Sequence, residues 1–309
     1  MRASREIHQS QSLKGLFLAG LLLAGFMLYF SVFPANIFAG LLLDAELRFT
    51  YEDNVVGLLS DQPRGASSGG GTPGGMAMQA LGMGGMGGGP NKNRYTGSGS
   101  GSTQTGDFSA TVSAEAGGYK DVGSDVSLFA KAFAEHTNYD TFTDLNATIG
   151  GVSAGISASL SDAVLARVAV LGKIKRFGDS QRDSTANGGN LSLKEKLTPT
   201  FWLREFAAYE KNHADNAVFS YTGTTIGAGA GYALTKKTLA TFGYSYLIRK
   251  FDEPSGAEIK TNTVYVGAEH SFAKSWSVAG EYDLQLSKEN ITGSSTTDNI
   301  FSVALRYSY

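Results

Sequence analysis

The chain has 309 residues, room for one large domain or two ordinary ones, and a net charge of −2 that gives no bulk pull toward nucleic acid or anionic lipid. It contains no cysteine, which excludes a disulfide framework, a thiolate metal site and a lipidated N-terminal cysteine. Glycine is abundant at 40 residues and proline scarce at 6.

Residues 1–39 read as a secretory signal peptide. Arg2, Arg5 and Lys14 precede the apolar run "LFLAGLLLAGFMLYFSVF", and "PANIFAG" offers a cut after Ala39. The run is also long enough to cross a bilayer as a helix, which keeps uncleaved anchoring open as the alternative. Beyond Phe38 no stretch is long and apolar enough for a membrane helix.

From residue 40 onward the pattern has a period of two, which sends alternate side chains to opposite faces of a sheet. "LDAELRFTYEDN" puts Leu43, Ala45, Leu47, Phe49 and Tyr51 on one face and Asp44, Glu46, Arg48, Thr50 and Glu52 on the other. Residues 56–106 then form a long Gly/Met/Ser-rich segment, read as the first outward loop and carrying Met76, Met78, Met83 and Met86. Thioethers bind Cu(I), but no Cys or His accompanies these methionines, so a flexible lid or surface segment is the simpler reading.

"DFSATVSAEAGGY" sets Glu115 on its polar face, and "VSLFAKAFAEHTNY" sets Lys131 and Glu135 there. "IGGVSAGISASL" opposes Val152 and Ile156 to Ser153 and Ser157. "AVLARVAVLGKIKRF" opposes Val168 and Val170 to Arg167, Lys173 and Lys175, and "NLSLKEKL" opposes Leu191 and Leu193 to Lys194 and Lys196, with Glu195 spoiling its apolar side. "FWLREFAAYEK" is the least clean, because Arg204 shares parity with Trp202 and Phe206. The last five segments fall at 220–234, 239–251, 260–272, 277–288 and 299–309, and their polar faces carry Arg249, Glu269, Glu281, Asp283 and Arg306.

About twelve strands, short turns alternating with longer hydrophilic loops, and aromatic residues toward the strand ends predict an all-β, antiparallel up-and-down transmembrane barrel over 40–309. The charged polar faces become candidate pore-lining residues, with basic strands five and six opposite acidic strands one, two, ten and eleven.

The final segment "SVALRYSY" spaces Phe301, Val303, Leu305, Tyr307 and Tyr309 on one face. It resembles the C-terminal signal strand of outer-membrane β-barrel proteins of Gram-negative-type bacteria, and "LRFTYEDNV" is similar to the opening strand of some β-barrel porins. The resemblance implies an outer-membrane location, contact with outer-membrane lipid, and an assembly signal at these five residues read by the barrel assembly machinery.

Three functions follow in order. The first is a small non-enzymatic diffusion channel, with no cofactor, that passes small hydrophilic solutes or ions between acidic and basic walls. The second is a closed structural or surface-interaction barrel displaying the long first loop. An outer-membrane enzyme is third. His136, His213 and His270 are the histidines available beyond the signal segment, and the parity of His136 separates it from Ser153 and Ser157.

Overall fold

The protein is described by a computed structural model over residues 40–55, 106–291 and 293–309. The signal segment and the four methionines of the first loop lie outside the described residues. Twelve strands make up the described fold: β1 Gly40–Glu52, β2 Asp107–Asp121, β3 Val126–Tyr139, β4 Ala147–Ser161, β5 Val164–Phe177, β6 Ser184–Lys196, β7 Phe201–Ala214, β8 Tyr221–Ala233, β9 Thr238–Phe251, β10 Glu258–Ser271, β11 Trp276–Glu289 and β12 Ser295–Ser308. Each is antiparallel to its chain neighbours, and β1 pairs with β12 to close the barrel.

The alternation decides which face is which. Val152, Ile156, Val168, Val170, Ile226, Phe242, Val264 and Val303 all point outward and are exposed, while the charged partners of the same strands point in. An apolar girdle of this extent is far larger than the patches of a soluble monomer and belongs in hydrocarbon. Outward rings flank it. Trp276 stacks edge-on to Tyr307 at 5.1 Å near the short turns; Tyr51–Phe108 and Tyr282–Phe301, each at 4.8 Å, mark the opposite end. The Tyr282 and Tyr244 hydroxyls donate to Asn299 and Asn262, so these rings carry their own polar anchor at the headgroup level.

Several strands run longer than their apolar stretches. β6 has 13 residues and begins at Ser184, inside a segment the sequence assigns to a loop, and β12 begins at Ser295 for the same reason. A tilted strand needs only about 9–11 residues to cross the bilayer. Beyond it the outward face is free to be polar, as at Thr185, Asn187 and Thr297, so hydropathy alone ends these strands too early.

The seam between β1 and β12 is held by more than its ladder. Glu46 lies directly opposite Arg306 and accepts from its Nε at 2.6 Å, and Asp44 accepts from Ser308. β12 ends at Ser308, one residue earlier than the sequence suggests, and the Tyr309 N–H donates to the Leu43 carbonyl at 2.9 Å. At the other end of the seam the Asn299 N–H donates to Asp53 at 2.7 Å, and its side-chain amide donates at 2.5 Å. Partial burial works against the Asp53 charge, but the Asn299 bonds outweigh it and hold the carboxyl below its usual range. The clasp therefore loosens only in acid, as pH falls through that lowered value.

Three longer connections are drawn in tightly. Each contains one 3-10 turn, at Thr143–Leu145, Ser180–Arg182 and Ala217–Phe219. Asp107 accepts from the N–H groups of Thr141 and Phe142, and Asp183 accepts from that of Phe177. Small apolar clusters fill the space beneath them: Val55, Tyr139 and Leu145 on one side, Tyr221, Phe251, Ala257 and Ile259 on the other.

The girdle sets a depth-dependent cost for charge. Val170→Arg, at the middle of β5, is expected to destabilise the barrel by about 2–4 kcal/mol, and Thr185→Arg, near the loop end of β6, by about 0–1 kcal/mol. Denaturant unfolding in lipid vesicles measures both. Equal costs would mean that Val170 does not sit in hydrocarbon.

Candidate functional site: the inward face

Strands spaced about 4.8 Å apart and tilted about 40° make a twelve-membered ring roughly 24 Å across, backbone to backbone. Side chains fill the interior of an eight-stranded ring, so this one encloses more space than short residues occupy. What occupies it is mostly charged. All sixteen charged residues singled out in the sequence lie on inward-facing positions of their strands.

The charges fall into groups along the barrel axis. Toward the short turns, Glu46 accepts from Arg48 at 2.7 Å and from Arg306 at 2.6 Å, and Arg306 reaches Glu269 at 2.7 Å, which also accepts from Ser277. Glu115 pairs with Lys131 at 3.1 Å. Toward the longer loops, Lys173 and Lys175 both bond Glu210 at 2.8 Å, and the Tyr221 hydroxyl donates to the same carboxylate at 2.7 Å. Arg249 lies over the Tyr221 ring, 5.3 Å from its centroid and 0% exposed, and among the described residues its guanidinium nitrogens have no hydrogen-bond partner. Glu52 is also buried at this end. Glu281 and Asp283 are half-buried on β11, Glu135 has one carboxylate oxygen without a partner, and Lys196 is exposed at the turn-end rim.

The basic wall is thus not purely basic, because β7 supplies Glu210 to Lys173 and Lys175. The acidic wall is likewise neutralised in part by Arg48, Arg306 and Lys131. Strand order explains both: a closed antiparallel ring brings each inward side chain beside two neighbouring strands, and long Lys and Arg stems reach further still.

Aromatic rings also face inward, against ordinary expectation for a polar lumen. Trp202, Phe206 and Tyr265 lie flat against a glycine wall on β8 and β9. A Cβ on Gly227 would come within 2.5 Å of the Phe206 ring; one on Gly231 would collide with Trp202, and one on Gly229 or Gly243 with the Tyr265 hydroxyl. The "GAGAGY" stretch therefore serves as a recess for rings from adjacent strands, which keeps them off the barrel axis.

No protein-family model matches the sequence, and no curated protein matches it. Among solved structures, an outer-membrane channel from Pseudomonas putida F1 aligns over 90% of this chain and 100% of its own, with a TM-score of 0.55 at 9% identity. The KdgM porin in complex with disordered oligogalacturonate aligns over 86% and 99%, with a TM-score of 0.45 at 9% identity. The CymD monoaromatic hydrocarbon channel aligns over 87% and 88%, again at 0.45 and 9%.

The fold is that of an outer-membrane β-barrel.

In that barrel the turn-end rings belong at one membrane boundary and the drawn-in connections at the other. Phe301, Val303, Leu305 and Tyr307 of the assembly-signal set face outward along β12. His136 faces outward and is hydrogen-bonded to the Thr148 hydroxyl at 2.8 Å, while Ser153 and Ser157 face inward, so these residues form no catalytic group. His213 and His270 also face outward, and His270 lies 3.0 Å from the Thr238 hydroxyl.

Glu210, Tyr221 and Tyr265 were not singled out from the sequence, and Arg204, Trp202 and Phe206 stood out only as a break in the alternation. Parity offered a signal for most of them. Arg204 and Glu210 share the even face of β7 with Trp202 and Phe206, and two charges outweigh two rings in deciding which face avoids lipid.

Glu210 bonds two buried lysines at 2.8 Å each, and its loss should cost more than either lysine's. Glu210→Gln is expected to lower unfolding free energy by about 3–5 kcal/mol, the range for stripping a buried charge of its partner. Adding Lys173→Met should recover part of that loss. Denaturant titrations of refolded protein test it, and a Glu210→Gln barrel as stable as wild type would contradict the placement.

Proposed function

We propose that this barrel is a small, non-enzymatic diffusion channel of the outer membrane, passing small hydrophilic solutes or ions between walls of opposite charge. The observation that carries this reading is the inward face itself. It carries charged and polar side chains along the axis of a ring wider than short side chains fill, with three of its rings recessed against glycines and half-exposed charges toward the short turns. The likeness to the Pseudomonas channel supports the architecture on which such a passage is built.

The constriction lies near the longer loops, where Lys175, Glu210, Tyr221 and Arg249 are almost wholly buried. That layer favours a second reading, a closed structural barrel, in which these side chains are a packed polar core. The same layer makes the two readings separable. In planar bilayers the wild type is expected to give small, discrete conductance steps, and Tyr221→Ala with Arg249→Ala to enlarge them. Lys173→Gln with Lys175→Gln should shift ion preference toward cations, and neutralising Glu269 and Glu281 should shift it toward anions. If neither wild type nor the widened variant conducts, the closed barrel is the correct reading.

A further inference from the structure

The turn-end half of the lumen contains a second cluster of cations. Arg167 on β5, Lys194 on β6 and Arg204 on β7 face inward, half-buried, on three consecutive strands. Lys194 and Arg204 lie directly opposite each other in the β6–β7 register. Like charges paired across a ladder are unfavourable, so this arrangement costs stability unless something neutralises it.

No carboxylate on these strands does so. Glu195 and Glu205 point outward, and Glu210 is bonded to Lys173 and Lys175. Lys194 and Arg204 lie instead on rings: Lys194 Nζ is 4.6 Å from the Trp202 centroid and Arg204 Cζ 5.8 Å from Phe206, while Arg167, whose charge also acts on Glu115, has its Cζ 5.1 Å from Phe129. The rings of Trp202 and Phe206 are in turn backed by Gly231 and Gly227. A cation on a ring keeps its outer N–H groups free, since the π face touches one side of it. Among the described residues neither Lys194 nor Arg204 forms an ion pair, and the Arg204 charge acts on Lys194.

Two rigidly backed cations side by side, with Arg167 near them and, among the described residues, no acidic partner for Lys194 or Arg204, match the two oxygens of a carboxylate. We infer that Arg167, Lys194 and Arg204 form a lumenal binding site for small carboxylate-bearing solutes, dicarboxylates above all. The site deepens the channel reading and rests on it for access from solution, but binding itself is measurable without conduction. A solute bound there neutralises the Lys194–Arg204 repulsion and passes toward the turn-end rim, where Lys196 is exposed.

Trp202 lies under Lys194 and reports the event directly. The chain has 2 tryptophans, so Trp276→Phe leaves Trp202 as the single emitter. In refolded, detergent-solubilised protein, succinate is expected to change Trp202 emission with saturation, and dimethyl succinate, which has no charge, to leave it unchanged. Lys194→Gln or Arg204→Gln should weaken binding about tenfold or more, the range for losing a charged hydrogen bond. Lys194→Arg should retain it, and Lys274→Gln, in the β10–β11 turn, should not alter it. Heat-dependent gel mobility confirms that each variant is folded; if Arg204→Gln fails to refold, Lys194→Gln carries the test alone. Folded Lys194→Gln protein that binds succinate as wild type does would overturn the assignment, and so would tighter binding of inorganic phosphate than of succinate. Binding in a barrel that does not conduct would leave this site standing and remove the channel; conduction without binding would do the reverse.

Discussion

Hydrocarbon offers a peptide group nothing to hydrogen-bond to, and each unsatisfied group there costs several kcal/mol, of the order known for polar groups in apolar media. A sheet in a membrane therefore cannot keep an edge. Everything else in this structure depends on β1 meeting β12, because that single pairing removes the last two rows of open donors and acceptors. It also joins residues far apart in the chain, whereas every other ladder joins consecutive strands. The pairs at Glu46–Arg306, Asp44–Ser308 and Asp53–Asn299 stand where the ladder alone would carry the greatest loop-closure cost.

Closure also decides what side chains must do. Once the ring is shut, each residue faces either lipid or lumen, and the two environments make opposite demands. The outward face tolerates Val, Ile, Leu and anchored tyrosines. The inward face gathers charges whose long stems cross the interior, and glycines that yield space to rings. Crowding differs along the axis: near the longer loops Lys173, Lys175 and Glu210 pack into a closed polar layer with Tyr221, while toward the short turns Arg167, Lys194 and Arg204 remain half-buried. The local balance of cations and carboxylates therefore varies along the axis, although the net charge of the chain is small.

Much of this was legible in the sequence. Period-two alternation located every strand of the described barrel, and the bounds of β3 and β5 fall within a residue of those read from sequence. The inward charges were found by the same parity. What escaped notice has a common physical cause. Strand ends that project past the bilayer lose their apolar face, so β6 and β12 begin inside segments that look like loops. Partners such as Glu210 for Lys175 depend on ring order and stem length, which alternation within one strand does not encode. The rings of Trp202 and Phe206 look lipid-facing by composition. Only the glycines of β8 explain why they are comfortable inside, and those glycines are one strand away.

The stitched connections have a consequence for how they are recognised. With Asp107, Asp183 and Asn216 each fixing backbone N–H groups around a 3-10 turn, these segments present curved, pre-shaped surfaces instead of extended peptide. An immune receptor meeting them encounters discontinuous epitopes assembled from neighbouring hairpins. Antisera raised against short linear peptides from 140–146 or 178–183 would then recognise the denatured chain and pass over the folded barrel.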